Sequence, residues 1–131
     1  MKEPASNRIL GIGLDLVEVA RFEGVLERQG ERFVKRVFTE EEQRYCGTKK
    51  EPAMFYAARF AAKEAVAKAF GTGIGASLGW LDIEVFHGSN GAPMVRLCGK
   101  GAELALQRGV REVLISLTHT SVSAGASVVL Q

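Results

Sequence analysis

Two acids in this 131-residue sequence stand out by what surrounds them. Asp15 lies between Leu14 and Leu16, just past Gly11 and Gly13, and Glu64 stands among alanines with Lys63 beside it and Lys68 one turn on. A carboxylate enclosed by apolar neighbours without a partner carries a heavy desolvation penalty. Asp15 therefore needs a cation, a metal ion or backbone donors, unless it is the N-cap of a helix starting near Glu18. Glu64 has an ordinary explanation too, an i, i+4 pair with Lys68 on a solvated helix, worth about 0.3–0.5 kcal/mol. A third cluster, Ser116 to Ser121, gathers hydroxyls around His119 at a turn, where polar groups can converge on a ligand. A single histidine in a turn is also a common solvated residue.

The elements that must carry these residues follow from periodicity. Arg8 to Val17 reads as a strand, in which Gly11 and Gly13 mark a bulge or a close backbone approach. Glu18 to Gln29 places Val19, Phe22, Val25 and Leu26 on one helical face with Gly30 as its stop, and a short helix is expected over Glu31 to Val37. Thr39-Glu40-Glu41-Glu42 is a capping box at a helix start, which accounts for its acids without any further function. Pro52 opens and Gly71 closes a long alanine-rich helix on which Ala57, Ala61, Glu64 and Lys68 share a face.

The glycines at 71, 73 and 75 follow Lys68 and close a helix, the reverse of a P-loop, whose glycines precede its lysine. A turn that lets a ligand reach the backbone is the reading left for them. Leu81 to Phe86 is a strand with Asp82 and Glu84 outward, turned at Ser89-Asn90-Gly91 into Met94 to Leu97. Ala102 to Arg108 is a short helix, and Glu112 to Thr118 and Ser123 to Leu130 are the closing strands. Strand, helices, hairpin, helix and hairpin make an α+β domain.

Length and composition fit one globular domain over residues 1–131, with 1–7 as a loose leader: 47% of residues are hydrophobic and 24% charged. A net charge of +2 is too small to argue for nucleic acid. Between Arg28 and Arg36, however, Arg28, Arg32, Lys35 and Arg36 oppose only Glu31, a local +3 that suits an acidic partner or a solvated face. Cys46 and Cys98 have no metal-ligand spacing, and no signal-peptide pattern is present, so both read as reduced thiols of a cytosolic protein. No apolar run is long enough to span a bilayer.

Taken in order, three segments resemble one family. They are Gly11-Ile12-Gly13-Leu14-Asp15-Leu16 with Glu18 and Arg21; Arg59-Phe60-Ala61-Ala62-Lys63-Glu64-Ala65 with Lys68-Ala69-Phe70-Gly71-Thr72-Gly73; and Ser116-Leu117-Thr118-His119-Thr120. With Asp82-Ile83-Glu84-Val85 and Gly91-Ala92-Pro93 they are similar to the holo-acyl-carrier-protein synthases, the short bacterial 4′-phosphopantetheinyl transferases. The resemblance runs from about Ile9 to Leu130.

It implies an antiparallel sheet packed on a long central helix, and transfer of the phosphopantetheine arm of coenzyme A to a serine of acyl carrier protein. It further implies Mg²⁺ held by Asp15 and Glu64, with Lys68 also catalytic. Arg59, Lys63 and Lys68 would face the coenzyme's phosphates, and Gly71, Gly73, His119 and Thr120 would contact the nucleotide. Glu64 acting through a water is the candidate general base. Arg21, and by helical phase less directly Arg28, would dock the acidic carrier protein. The family's short members are homotrimers with sites shared between subunits. The competing expectation is a coenzyme A or nucleotide-binding module without transfer, which the retention of both carboxylates disfavours.

Overall fold

The computed structural model describes residues 8–131, so the expected leader, 1–7, lies outside the described residues. The chain runs β1 (Gly11–Glu18), α1 (Val19–Val37), α2 (Glu40–Gly47), α3 (Pro52–Phe70), a 3₁₀ turn (Trp80–Asp82), β2 (Ile83–His87), β3 (Pro93–Leu97), α4 (Gly99–Arg108), β4 (Val113–His119) and β5 (Ser123–Leu130). This is the expected α+β class. Its strands form two antiparallel sheets rather than one, β1-β5-β4 and β2-β3.

Helix α3 sits at the centre. Pro52 occupies its first turn, and Gly71 ends it with φ 77°, the left-handed cap that glycine adopts without strain. Ala57, Ala61, Ala65 and Val66 are fully buried along it. Its alanines let β1 come close, and the two glycines of β1 complete the approach. A Cβ on Gly11 would lie 2.1 Å from the Ala69 carbonyl oxygen, and one on Gly13 1.9 Å from that of Ala65. Pairing with β5 is unbroken from Gly11↔Leu130 to Glu18↔Ser123, so these glycines serve close approach and no bulge.

Helix α1 comprises the two expected helical pieces, with the break between them at Gly30. Gly30 breaks its direction with φ 57° and ψ −139°, and helical turns resume directly to Val37. Phe22 before the break meets Phe33 after it edge to face, centroids 5.8 Å apart, which folds the two pieces onto one apolar cluster. The N-cap of α1 is Glu18, without a side-chain cap bond, so Asp15 is no helix cap. Asp82 does not point outward from a strand as expected. It belongs to the 3₁₀ turn, where its Oδ2 accepts the Gly79 N–H at 2.7 Å.

Candidate active site

Side chains on a strand alternate between its two faces. On β1 this turns Gly11, Gly13, Asp15 and Val17 towards α3, and Ile12, Leu14 and Leu16 away from it. Asp15 is thus the first side chain with an acid to offer after the glycine contact, and it faces a helix whose backbone is close by. Lys68 on α3 donates to Asp15 Oδ1 at 2.9 Å and to the Leu14 carbonyl at 3.1 Å. The Glu64–Lys68 pair expected from spacing is replaced by this cross-element pair, because β1 brings a second carboxylate within reach of the same ammonium.

Asp15, Glu64, Lys68 and Arg21 line one cavity of about 540 Å³, with Phe22, Val25, Phe33 and Phe60 as its apolar wall. A pocket of this size with convergent polar groups over an apolar wall is what a cofactor-sized ligand needs. Burial, and then the charge of Asp15, push the Glu64 carboxyl above its ordinary range, while Lys68 pulls it back. Among the described residues no group of three or more His, Cys, Asp and Glu side chains is assembled as a metal cage. Two carboxylates in one cavity are nonetheless the donor set of a hard cation that completes its shell with phosphate and water oxygens.

Lys63 and Arg59 belong to a different face of α3, since adjacent helical residues point about 100° apart. Lys63 is fully buried. Its ammonium donates to the carbonyls of Val37 (2.8 Å), Trp80 (2.9 Å) and Ile83 (2.7 Å) and pairs with Glu42 Oε1 at 2.7 Å. Burial pushes its pKa down and the Glu42 charge opposes that. The expectation that Lys63 faces the coenzyme's phosphates is therefore corrected: its protons are used inside the core. Arg59 is 1% exposed, with its guanidinium 4.2 Å from the Tyr45 ring centroid and Nη2 3.4 Å from His87 Nδ1. Among the described residues its buried Nε has no hydrogen-bond partner. It does not line the Asp15 cavity. Burial and the charges of Arg59 and Lys49 hold His87 below its usual pKa.

The remaining expected residues are spread along the sheet. Gly71 and Gly73 form the left-handed turn after α3, at the Gly11 end of β1. His119 ends β4, opposite Ala124 of β5, which in turn faces Val17 of β1. Thr120 Oγ1 accepts the N–H groups of Val122 and Ser123, tightening the β4–β5 turn beside the start of α1. The two segments therefore stand at opposite ends of an eight-residue strand, roughly 20 Å apart. Arg21 is exposed at the cavity rim, and Arg28 is exposed further along α1, outside the cavity.

Sequence reasoning missed two features. The cavity wall of Phe22, Phe33 and Phe60 reads in sequence as ordinary core, and no signal separates the two. Glu42 is more than a capping residue. Its Oε1 accepts the Thr39 N–H at 2.9 Å as expected, and its Oε2 takes the Val85 N–H at 2.8 Å while the carboxylate holds Lys63.

Comparison with known proteins accords with this geometry. A sequence model described as the 4′-phosphopantetheinyl transferase superfamily matches residues 11–122. The holo-[acyl-carrier-protein] synthase of Pectobacterium carotovorum subsp. carotovorum is 47% identical over 123 residues, 94% of this chain and 98% of that protein. The Geobacter metallireducens protein of the same name is 44% identical with the same coverage. Among solved structures, the Neisseria meningitidis synthase superposes with TM-score 0.89 at 31% identity, covering 95% of this chain and 99% of that one. The Helicobacter pylori synthase, solved in complex with coenzyme A, superposes with TM-score 0.82 at 32% identity over 92% and 99% of the two chains. The match takes in both carboxylates, Lys68 and the His119 turn, and on that span this chain belongs to the 4′-phosphopantetheinyl transferase superfamily.

Proposed function

We propose that this chain is a holo-acyl-carrier-protein synthase, transferring the 4′-phosphopantetheine arm of coenzyme A to a serine hydroxyl of apo acyl carrier protein. The observation that carries the reading is the convergence of Asp15, Glu64 and Lys68 on one cavity with an apolar wall. In the transfer, the serine oxygen bonds to the phosphorus that carries the pantetheine arm. The bond from that phosphorus to the bridging oxygen breaks, adenosine 3′,5′-bisphosphate leaves, and the serine proton is lost.

Asp15 and Glu64 would hold Mg²⁺, which when bound would neutralise and orient the coenzyme's pyrophosphate. Lys68 adds a fixed positive charge where the leaving group gains negative charge. Glu64 is the candidate acceptor of the serine proton through a bridging water. The apolar wall of Phe22, Phe33 and Phe60 suits the non-ionic part of the arm. Arg21, at the cavity rim, together with the basic run that begins at Arg28, suits an acidic carrier protein.

Gly71 and Gly73 stand far from His119 and Thr120 in one chain, so a nucleotide site using both segments draws on two copies. Ile12, Leu14 and Leu16 are 72%, 68% and 71% exposed in a row on the outer face of β1, and Leu114 extends that face on β4. An aliphatic face of this kind marks an association surface. We infer a homotrimer in which it is covered and each site is completed by a neighbour. Among the described residues no helix is long and apolar enough to cross a membrane. The free thiols of Cys46 and Cys98 suit the cytoplasm, where we assign the reaction.

The test is product analysis: with coenzyme A, Mg²⁺ and apo carrier protein, adenosine 3′,5′-bisphosphate should accumulate only when the carrier is present. Coenzyme binding without that product would make the chain a binding module instead.

A further inference from the structure

Lys63 is a buried charge for which the transfer reaction has no direct use. The four oxygens around its ammonium come from four parts of the fold: Val37 at the end of α1, Trp80 in the 3₁₀ turn, Ile83 at the start of β2, and Glu42 on α2. Glu42 is itself fixed by the N–H groups of Thr39 and Val85. A buried ion pair is weak support for stability, because desolvating both charges offsets much of their attraction, whereas a role in fixing register is better attested. Residue 63 is the immediate neighbour of Glu64.

We propose that Lys63 is a positioning residue for Glu64, setting the rotation of α3 so that the Glu64 carboxylate and Lys68 face Asp15. The glycine contact between β1 and α3 fixes how close the two elements come. That contact is made by backbone alone, Gly11 against Ala69 and Gly13 against Ala65. Lys63 adds a directional polar tie from another side, about 100° round the helix from Glu64. The same ammonium holds the last carbonyl of α1, whose Phe22, Val25 and Phe33 wall the cavity, so both walls are tied to one atom. A direct phosphate contact would require that ammonium to abandon four oxygens and leave the core.

This inference rests on the site as read above. The test uses the intact chain and the variant Lys63→Met, which keeps an unbranched side chain of similar length. Mn²⁺ binding in the presence of coenzyme A is followed by electron paramagnetic resonance, alongside metal-free coenzyme binding by calorimetry and steady-state transfer. Residues that orient a metal ligand typically change metal affinity or activity by about 10–100-fold. We expect losses of that size in Mn²⁺ affinity and in kcat, with the KM for coenzyme A and metal-free coenzyme binding unchanged. Where Lys63→Met does not fold, Glu42→Gln replaces it, and a smaller loss in the same two quantities is expected.

A folded Lys63→Met protein, or in its place Glu42→Gln, with wild-type Mn²⁺ affinity and kcat would overturn the proposal. So would a raised KM and weakened metal-free coenzyme binding with kcat kept, which would mark a phosphate contact. A wild-type chain that transferred nothing would sink the functional reading instead, while the Mn²⁺ titration would still report on Lys63.

Discussion

Lys68 and Asp15 are 53 residues apart in sequence, yet the ammonium of one lies 2.9 Å from Oδ1 of the other. The contact joins the central helix to the first strand beside the second acid, Glu64. Lys68 is half-exposed, so the pair carries little stability, and its weight is electrostatic. The expected outcome for Lys68→Met is a cost of at most about 1 kcal/mol in unfolding free energy. Transfer should fall by roughly 10²–10³-fold, the scale for losing one preorganised charge at a reacting group. Denaturant melts and initial rates check the two halves separately, and a variant with near-normal rates would remove Lys68 from the site.

Gly13→Ala tests the contact that brings the acids together. Its new Cβ would start 1.9 Å from the Ala65 carbonyl oxygen, which is backbone and cannot swing aside. Overpacking of this kind costs about 1–3 kcal/mol or more. The variant should show a lowered Tm together with weakened transfer in whatever fraction folds, since α3 must move away from Asp15. Unchanged melting would show that the two elements are not packed as described.

Glu64→Gln should stabilise the metal-free protein while abolishing transfer. Burial and Asp15 raise the Glu64 pKa above its unfolded value, so between the two values the folded state binds the extra proton. Stability contributed by that proton is present below the unfolded pKa and declines as pH rises through the folded one. At neutral pH the charged Glu64 therefore works against folding, and the neutral amide removes the penalty. The gain in Tm should be present at pH 7 and shrink as the pH approaches 4. A lower Tm at pH 7 without metal would contradict the assigned environment.

The two cysteines should differ sharply. Burial pushes the Cys46 thiol up to about 11, whereas Cys98 is exposed and donates to the Leu81 carbonyl at 3.3 Å. Only thiolates react quickly with disulfide reagents. Titration of the native protein near pH 8 should give fast labelling at Cys98 and labelling of Cys46 only on unfolding, read by peptide mass.

Asp15 and Glu64 were legible because each violates its surroundings, one acid between leucines and one among alanines. Gly11 and Gly13 were legible as a close approach or a bulge, and only the partner backbone decided between them. The resemblance does not place Lys63 correctly: one step on the helix from Glu64 turns its side chain by about 100°, into the core. Its partner Glu42 was hidden by a sufficient local explanation, the capping box, which the same carboxylate also satisfies. The alternation of β1 was readable in principle. What its outer leucines face was not, since a single chain leaves them exposed.

The most direct measurement is the intact mass of apo acyl carrier protein after incubation with coenzyme A and this chain, with and without Mg²⁺, for wild type, Asp15→Ala and Glu64→Ala. Wild type should add the mass of one phosphopantetheine arm only when the divalent ion is present, and both variants, still folded, should add none. No mass gain with wild type under any divalent ion, or wild-type metal dependence in either variant, would contradict the proposed site and reaction.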